Sequence, residues 1–125
     1  MPSGYSVVRG ARCDEDLELI FDHLFDTYQE LGDRSDIALE RAAERLVGIE
    51  DDLSRLGEVP FKGTLEPKLM GGLRHVTKNR AVFYFTVDET IETVRVLGVF
   101  FGGQDHRRHI LVRIATNLSS PPGNR

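Results

Sequence analysis

The chain has 125 residues and a mass of 14.1 kDa, which is room for one core and excludes a second independent domain. Hydrophobic residues at 40%, charged residues at 29% and only 5 prolines place it among soluble globular proteins and exclude disordered, fibrous and membrane-spanning classes. A net charge of −4 argues against a general nucleic-acid binder, whose affinity comes mainly from neutralised phosphates.

No apolar run follows Met1-Pro2-Ser3-Gly4 as a secretion signal would require, so a cytoplasmic protein is expected. Tyr5 to Arg9, with Val7-Val8 at its centre, reads as a short strand ended at Gly10. From Asp14 the period becomes helical: Leu17, Ile20, Phe21, Leu24, Phe25, Tyr28 and Leu31 share a face, acidic residues crowd the first turn, and Gly32 supplies a stop. A second helix, capped by Asp33 or Ser35, carries Leu39, Ala42, Leu46, Ile49, Leu53 and Leu56 at steps of three and four. The link between the two helices is so short that they must run antiparallel.

Pro60 and Pro67 bracket a loop, after which the period falls to two. Leu73 to Thr77, Ala81 to Val87 and Thr93 to Phe101 read as an antiparallel meander, with Lys78-Asn79 and Asp88-Glu89 as its turns. The last of these strands is nearly apolar throughout, as a central strand covered on both faces would be. Asp105 can cap a short basic helix from His106 to about Ala115. The expectation is therefore an α+β domain over residues 1–115, with a helical hairpin packed on an antiparallel sheet, and a flexible tail over 116–125.

Charge divides along the chain. Residues 1–60 carry 6 basic and 15 acidic side chains, a net of −9; residues 61–125 carry 10 and 5, a net of +5. A basic surface built by the C-terminal half follows. Its sheet cations are Arg74, Lys78, Arg80 and Arg95; pairing of the strands can bring Arg74, Arg80 and Arg95 into one anion-contacting neighbourhood or leave them as cross-strand partners of Asp88, Glu89 and Glu92. Alternation puts Arg74 with Val76 and His75 with Thr77.

No metal or cofactor signature is present. Gly71-Gly72 and Gly102-Gly103 lack the lysine and hydroxyl of a phosphate loop, and His106 and His109, three apart, have no third ligand nearby. Cys13 is the only cysteine and precedes Asp14 to Asp16, whose charge opposes a thiolate, so it reads as a helix-start residue and not a nucleophile.

The order of elements, with Gly72-Leu73-Arg74, Arg80-Ala81-Val82-Phe83-Tyr84-Phe85-Thr86-Val87, Ile91, Val94-Arg95-Val96-Leu97-Gly98 and Gly102-Gly103-Gln104-Asp105, resembles the RelE/ParE superfamily of bacterial type II toxins from Tyr5 to about Ile114. The resemblance implies a toxin held inactive in a hetero-oligomer with a cognate antitoxin. It also implies one of two activities: messenger RNA cleavage on the ribosome, as in RelE, or poisoning of DNA gyrase, as in ParE. Where many members read His-Gly-Arg-Arg-Asp after the last strand, this chain has Phe101-Gly102-Gly103-Gln104-Asp105, and where nucleases place an arginine three residues before the middle-strand tyrosine it has Ala81. A phenylalanine transfers no proton, so a ParE-like toxin with no catalytic residues is the first expectation, with Arg74, Arg80, Arg95, Arg107 and Arg108 as target contacts. A metal-independent endoribonuclease using Arg74, Arg80, His106 and Arg107 is the alternative, and a non-toxic interaction module the second. Phe61, Leu65, Leu69, Phe83, Phe85 and Phe101 exceed what a small core readily hides and are expected to line the antitoxin groove.

Overall fold

A computed structural model describes residues 4–102 and 105–118. Of the tail expected over 116–125, residues 116–118 belong instead to the last helix, and the remainder, with Gly103 and Gln104, lies outside the described residues. In chain order the elements are β1 (Ser6–Arg9), α1 (Cys13–Glu30), α2 (Ser35–Ser54), a 3-10 turn (Arg55–Glu58), β2 (Thr64–Leu65), β3 (Arg74–Lys78), β4 (Ala81–Asp88), β5 (Thr93–Phe101) and α3 (His106–Leu118). The strands form one sheet in the order β1-β5-β4-β3-β2. β3 to β5 pair antiparallel as expected; β2, within the stretch read as a loop, adds antiparallel to β3, and β1 joins β5 in parallel, so the sheet is mixed. The two-residue β2 carries no periodicity long enough to read from sequence.

α1 stops at Gly32 because the Gly32 and Asp33 N–H groups donate back to the Gln29 and Tyr28 carbonyls, a Schellman closure. Neither proposed cap of α2 operates. Arg34 occupies the cap position without a side-chain bond, while Asp33 takes Arg41 at 2.6 Å and Ser35 takes Gln29 at 2.7 Å. The α2 seam is also shifted: Ala38 is buried and Leu39 exposed, because small residues at 38 and 42 let α2 approach α1 closely.

The hairpin covers one face of the sheet. Its core joins Leu17, Ile20, Leu24, Ala42, Ile49 and Leu53 to Phe83, Phe85, Val94, Val96, Val99 and Phe101. The opposite face is covered by α3 and the loop before β3, where Leu73, Val82, Tyr84, Phe100, Ile110 and Ile114 make a second cluster. Each large aliphatic group hidden there contributes about 1.5–3 kcal/mol. β5 is thus apolar on both sides because both sides are covered.

A bulge reconciles β5 with its two cores. Tyr84 lies opposite Gly98 and Phe85 opposite Val96, leaving Leu97 as an extra residue that resets the alternation. Beyond it Val99 and Phe101 reach the hairpin core and Phe100 reaches α3. Without that insertion the three side chains would face the wrong layers.

Candidate functional site

On the α3 face, five polar side chains from four segments converge. Arg107 Nη1 lies 2.7 Å from Glu66 Oε1, and His75 Nδ1 lies 2.7 Å from Glu66 Oε2, an ion-pair distance without hydrogen-bond alignment. Tyr84 Oη and His106 Nδ1 are 2.8 Å apart, and the Tyr84 ring stands 5.6 Å from His75 and 5.8 Å from His106. β3 and β4 supply His75 and Tyr84 at facing register positions, α3 supplies His106 and Arg107, and the loop ahead of Pro67 supplies Glu66.

Burial sets the electrostatics. The Arg107 hydrogen bond holds the Glu66 carboxyl below the usual range. Burial, then the Glu66 charge, pushes the Tyr84 phenol up. Burial, then the neighbouring His75 and Arg107, pulls His106 below its ordinary 6.5. With His106 neutral and its proton on Nε2, Nδ1 accepts from the phenol. The set holds a carboxylate, two imidazoles, a phenol and a guanidinium, the inventory of acid–base chemistry, but Glu66 is shared between Arg107 and the His75 ring and Tyr84 is fully buried.

A second feature lies on the hairpin side, at the open edge of the sheet. The end of α2, the loop after it and β3 enclose a cleft of about 200 Å³, with Leu56, Val59, Lys62 and Val76 along it and Phe83 and Phe85 at its floor. Beside it Val59, Phe61 and Leu65 are exposed at 56%, 45% and 50%. This apolar strip follows the two-residue edge strand.

Of the expected nuclease residues, His106 and Arg107 share the α3-face cluster, while Arg74 and Arg80 lie outside it. Arg74 faces the hairpin side, donates to the Phe61 carbonyl at 2.9 Å and sits over the Phe61 ring. Arg80 is in the β3–β4 turn, which is Asn79-Arg80 instead of Lys78-Asn79, with φ of 50° and 70° at the two residues. It is therefore on neither face of β4. Arg95, opposite Thr86, projects from the other face than Arg74, so strand pairing separates Arg74, Arg80 and Arg95. Arg108 is exposed on α3, and His109 stacks on Phe100 instead of turning toward His106. Among the described residues no three His, Cys, Asp or Glu side chains converge as a metal site would need.

Of the six residues expected to line a groove, Phe83, Phe85 and Phe101 are core residues at 0%, 1% and 4% exposure. The double-sided cover of the sheet hides more aromatic surface than the composition suggested. Leu69 is half-buried against the α3 cluster, which leaves Phe61 and Leu65 as the open pair. Cys13 is buried, with its thiol donating to the Val96 carbonyl at 3.3 Å, and burial pushes its pKa up. Sequence reasoning missed Glu66 and Tyr84 as site members, since a lone carboxylate before a proline and a tyrosine in an apolar strand carry no spacing signal.

No protein-family model matches the sequence, and no curated protein shows significant similarity to it. Solved structures do. A chain of the chromosomal ParDE toxin–antitoxin system from P. aeruginosa superposes with a TM-score of 0.60 at 20% identity, covering 78% of this chain and 96% of that one. A chain of the RelBE2 toxin–antitoxin complex from Mycobacterium tuberculosis gives 0.51 at 14% identity, over 79% and 99%. A mutant of E. coli toxin RelE in the free state gives 0.55 at 10% identity, over 89% and 97%. The fold is the RelE/ParE fold. No helix among the described residues is long and apolar enough to cross a membrane.

Proposed function

We propose that this chain is the toxin of a type II toxin–antitoxin pair, that a cognate antitoxin segment seats on the Val59–Phe61–Leu65 strip, and that the toxin inhibits DNA gyrase by protein contact without nuclease chemistry. One observation carries the choice of activity: the four residues best suited to cutting RNA do not share one site. Arg74 lies on the hairpin side, Arg80 in a turn, and His106 and Arg107 on the α3 face, bound to Tyr84 and Glu66. General acid–base catalysis needs its groups within hydrogen-bond reach of one reacting centre. The position at which many members of the resembled superfamily read histidine holds the buried Phe101. The antitoxin reading draws on the fold and on the exposed apolar strip beside an edge strand, where an added segment finds both pairing groups and side-chain contacts.

Antitoxin-free protein added to purified gyrase is expected to stop supercoiling and accumulate cleaved DNA, while cells expressing it arrest with intact transcripts. Active supercoiling at saturating protein rejects the mechanism.

The Glu66–His75–Tyr84–His106–Arg107 cluster favours a second reading, a metal-independent endoribonuclease centred on His106. Transcript cleavage that persists in Arg74→Ala but is lost in His106→Ala would select it.

A further inference from the structure

Seven arginines among the described residues meet a carboxylate: Arg9, Arg12, Arg34, Arg41, Arg55, Arg107 and Arg113. Arg45, Arg74, Arg80, Arg95 and Arg108 do not, and of these Arg45 and Arg80 share one neighbour. Their guanidinium carbons each lie 5.4 Å from the centre of the Phe101 ring, and the His23 imidazole stands 6.0 Å from the same ring. Three separate elements, α1, α2 and the β3–β4 turn, thus place guanidinium and imidazole groups around one aromatic ring.

Two acids of α2, the helix that carries Arg45, leave them open. Asp52 is occupied by Lys78 at 3.7 Å and by the Asn79 amide at 3.1 Å, and Glu44, which borders the same hollow as Arg41 and Arg45, makes no ion pair. Arg45 Nη2 donates to the Asn79 carbonyl at 2.7 Å, which fixes the side chain, while its buried Nε has no acceptor. Arg45 thus keeps a buried Nε without an acceptor beside an Arg80 that also has no carboxylate, both on one ring.

Arg80 adds a second, independent observation. Its φ of 70° is the left-handed region, and a two-residue turn of this kind favours Asn-Gly. The chain keeps a long cationic side chain at a position where glycine is less strained, the pattern seen where backbone strain serves a site.

We propose that Arg45, Arg80 and His23 form a binding site for a phosphate group at the rim of Phe101. Two guanidinium forks and an imidazole match the several oxygens and double charge of a phosphate better than a lone carboxylate, which one fork satisfies. The ring holds both guanidiniums in place before a ligand arrives. Arg80 and His23 are exposed, so the site is open to a phosphodiester of a nucleic acid strand or to free phosphate. This goes beyond the toxin reading and does not depend on which target the protein has.

The test titrates the full chain, at constant ionic strength, with inorganic phosphate, a short single-stranded oligonucleotide and a glutamate-rich peptide, following the His23 imidazole resonances. Saturable phosphate binding is expected, weakened about tenfold or more by Arg80→Gly and by Arg45→Met and unchanged by Arg34→Gln. Competition by the oligonucleotide identifies a nucleic acid strand as the source; phosphate binding without it identifies the free anion. Unsaturable binding, full affinity in a folded Arg80→Gly protein, or tighter binding of the peptide overturns the proposal. Arg80→Gly relieves turn strain, so loss of folding does not obscure the result.

Discussion

Arg113 on α3 grips Asp16 on α1 with both arms of its guanidinium, Nη1 to Oδ2 at 2.8 Å and Nη2 to Oδ1 at 2.9 Å. Asp16 is 4% exposed, and its Oδ2 also accepts the N–H of Val99, which lies in β5 just beyond the bulge. The same Nη1 donates to the Leu97 carbonyl at 2.9 Å. A Cβ at residue 98 would sit 2.9 Å from Nη1, so Gly98 leaves the room this arm needs. One buried ion pair thereby ties the first helix, the bulge and the last helix together.

Breaking that pair on one side leaves a charge buried without a partner, which costs about 3–5 kcal/mol. Arg113→Met is expected to lower the unfolding free energy in urea by roughly that amount, and Asp16→Asn by somewhat less because the amide oxygen still accepts from Val99. A loss below about 1 kcal/mol in Arg113→Met would show that α3 is held by its apolar face alone.

Stability should fall with acid in two stages. The folded His106 titrates below 6.5, so the unfolded chain takes the proton first: the contribution is whole above about 6.5 and declines as pH drops toward the folded value. Glu66 is likewise held below 4.5, and its contribution is present above 4.5 and lost as pH falls through the folded value. Urea midpoints of wild type and His106→Gln at pH 7.5 and 5.5 are the check. The wild type should lose more between the two than the variant, and equal losses would remove His106 from the linkage.

The open apolar strip can be separated from the core by paired substitutions. Phe61→Ser and Leu65→Ser remove half-exposed groups and are expected to leave a folded protein whose antitoxin affinity drops by about 1–2 kcal/mol each, measured by calorimetry. Phe83→Ser, at 0% exposure, should instead unfold the chain by creating a cavity worth about 3–5 kcal/mol. Undiminished binding by a folded Phe61→Ser/Leu65→Ser double variant would move the antitoxin elsewhere.

Arg80→Gly should raise stability by about 1 kcal/mol, since the left-handed conformation costs an L-residue roughly that much and glycine nothing. A thermal scan reads this directly. Destabilisation would mean that the Arg80–Phe101 contact outweighs the strain.

The element order, the helical hairpin and the doubly covered last strand follow from the residues in line, because periods of 3.6 and 2 are local properties of the chain. Leu17, Ile20, Leu24, Ile49 and Leu53 are buried where that periodicity puts them, and β5 lies at residues 93–101 as read. What only the tertiary structure decided is how separate segments meet. The parallel seat of β1, the bulge at Leu97, the burial of Asp16 and the gathering of Glu66, Tyr84 and His106 depend on contacts between residues far apart in sequence, for which local periodicity holds no record. Asp16 looked like one more solvated acid in a helix's first turn, and its partner Arg113 stands 97 positions away. Charge and composition follow from the list of residues; which groups face each other depends on register, and a single inserted residue in β5 chose which core Val99, Phe100 and Phe101 enter.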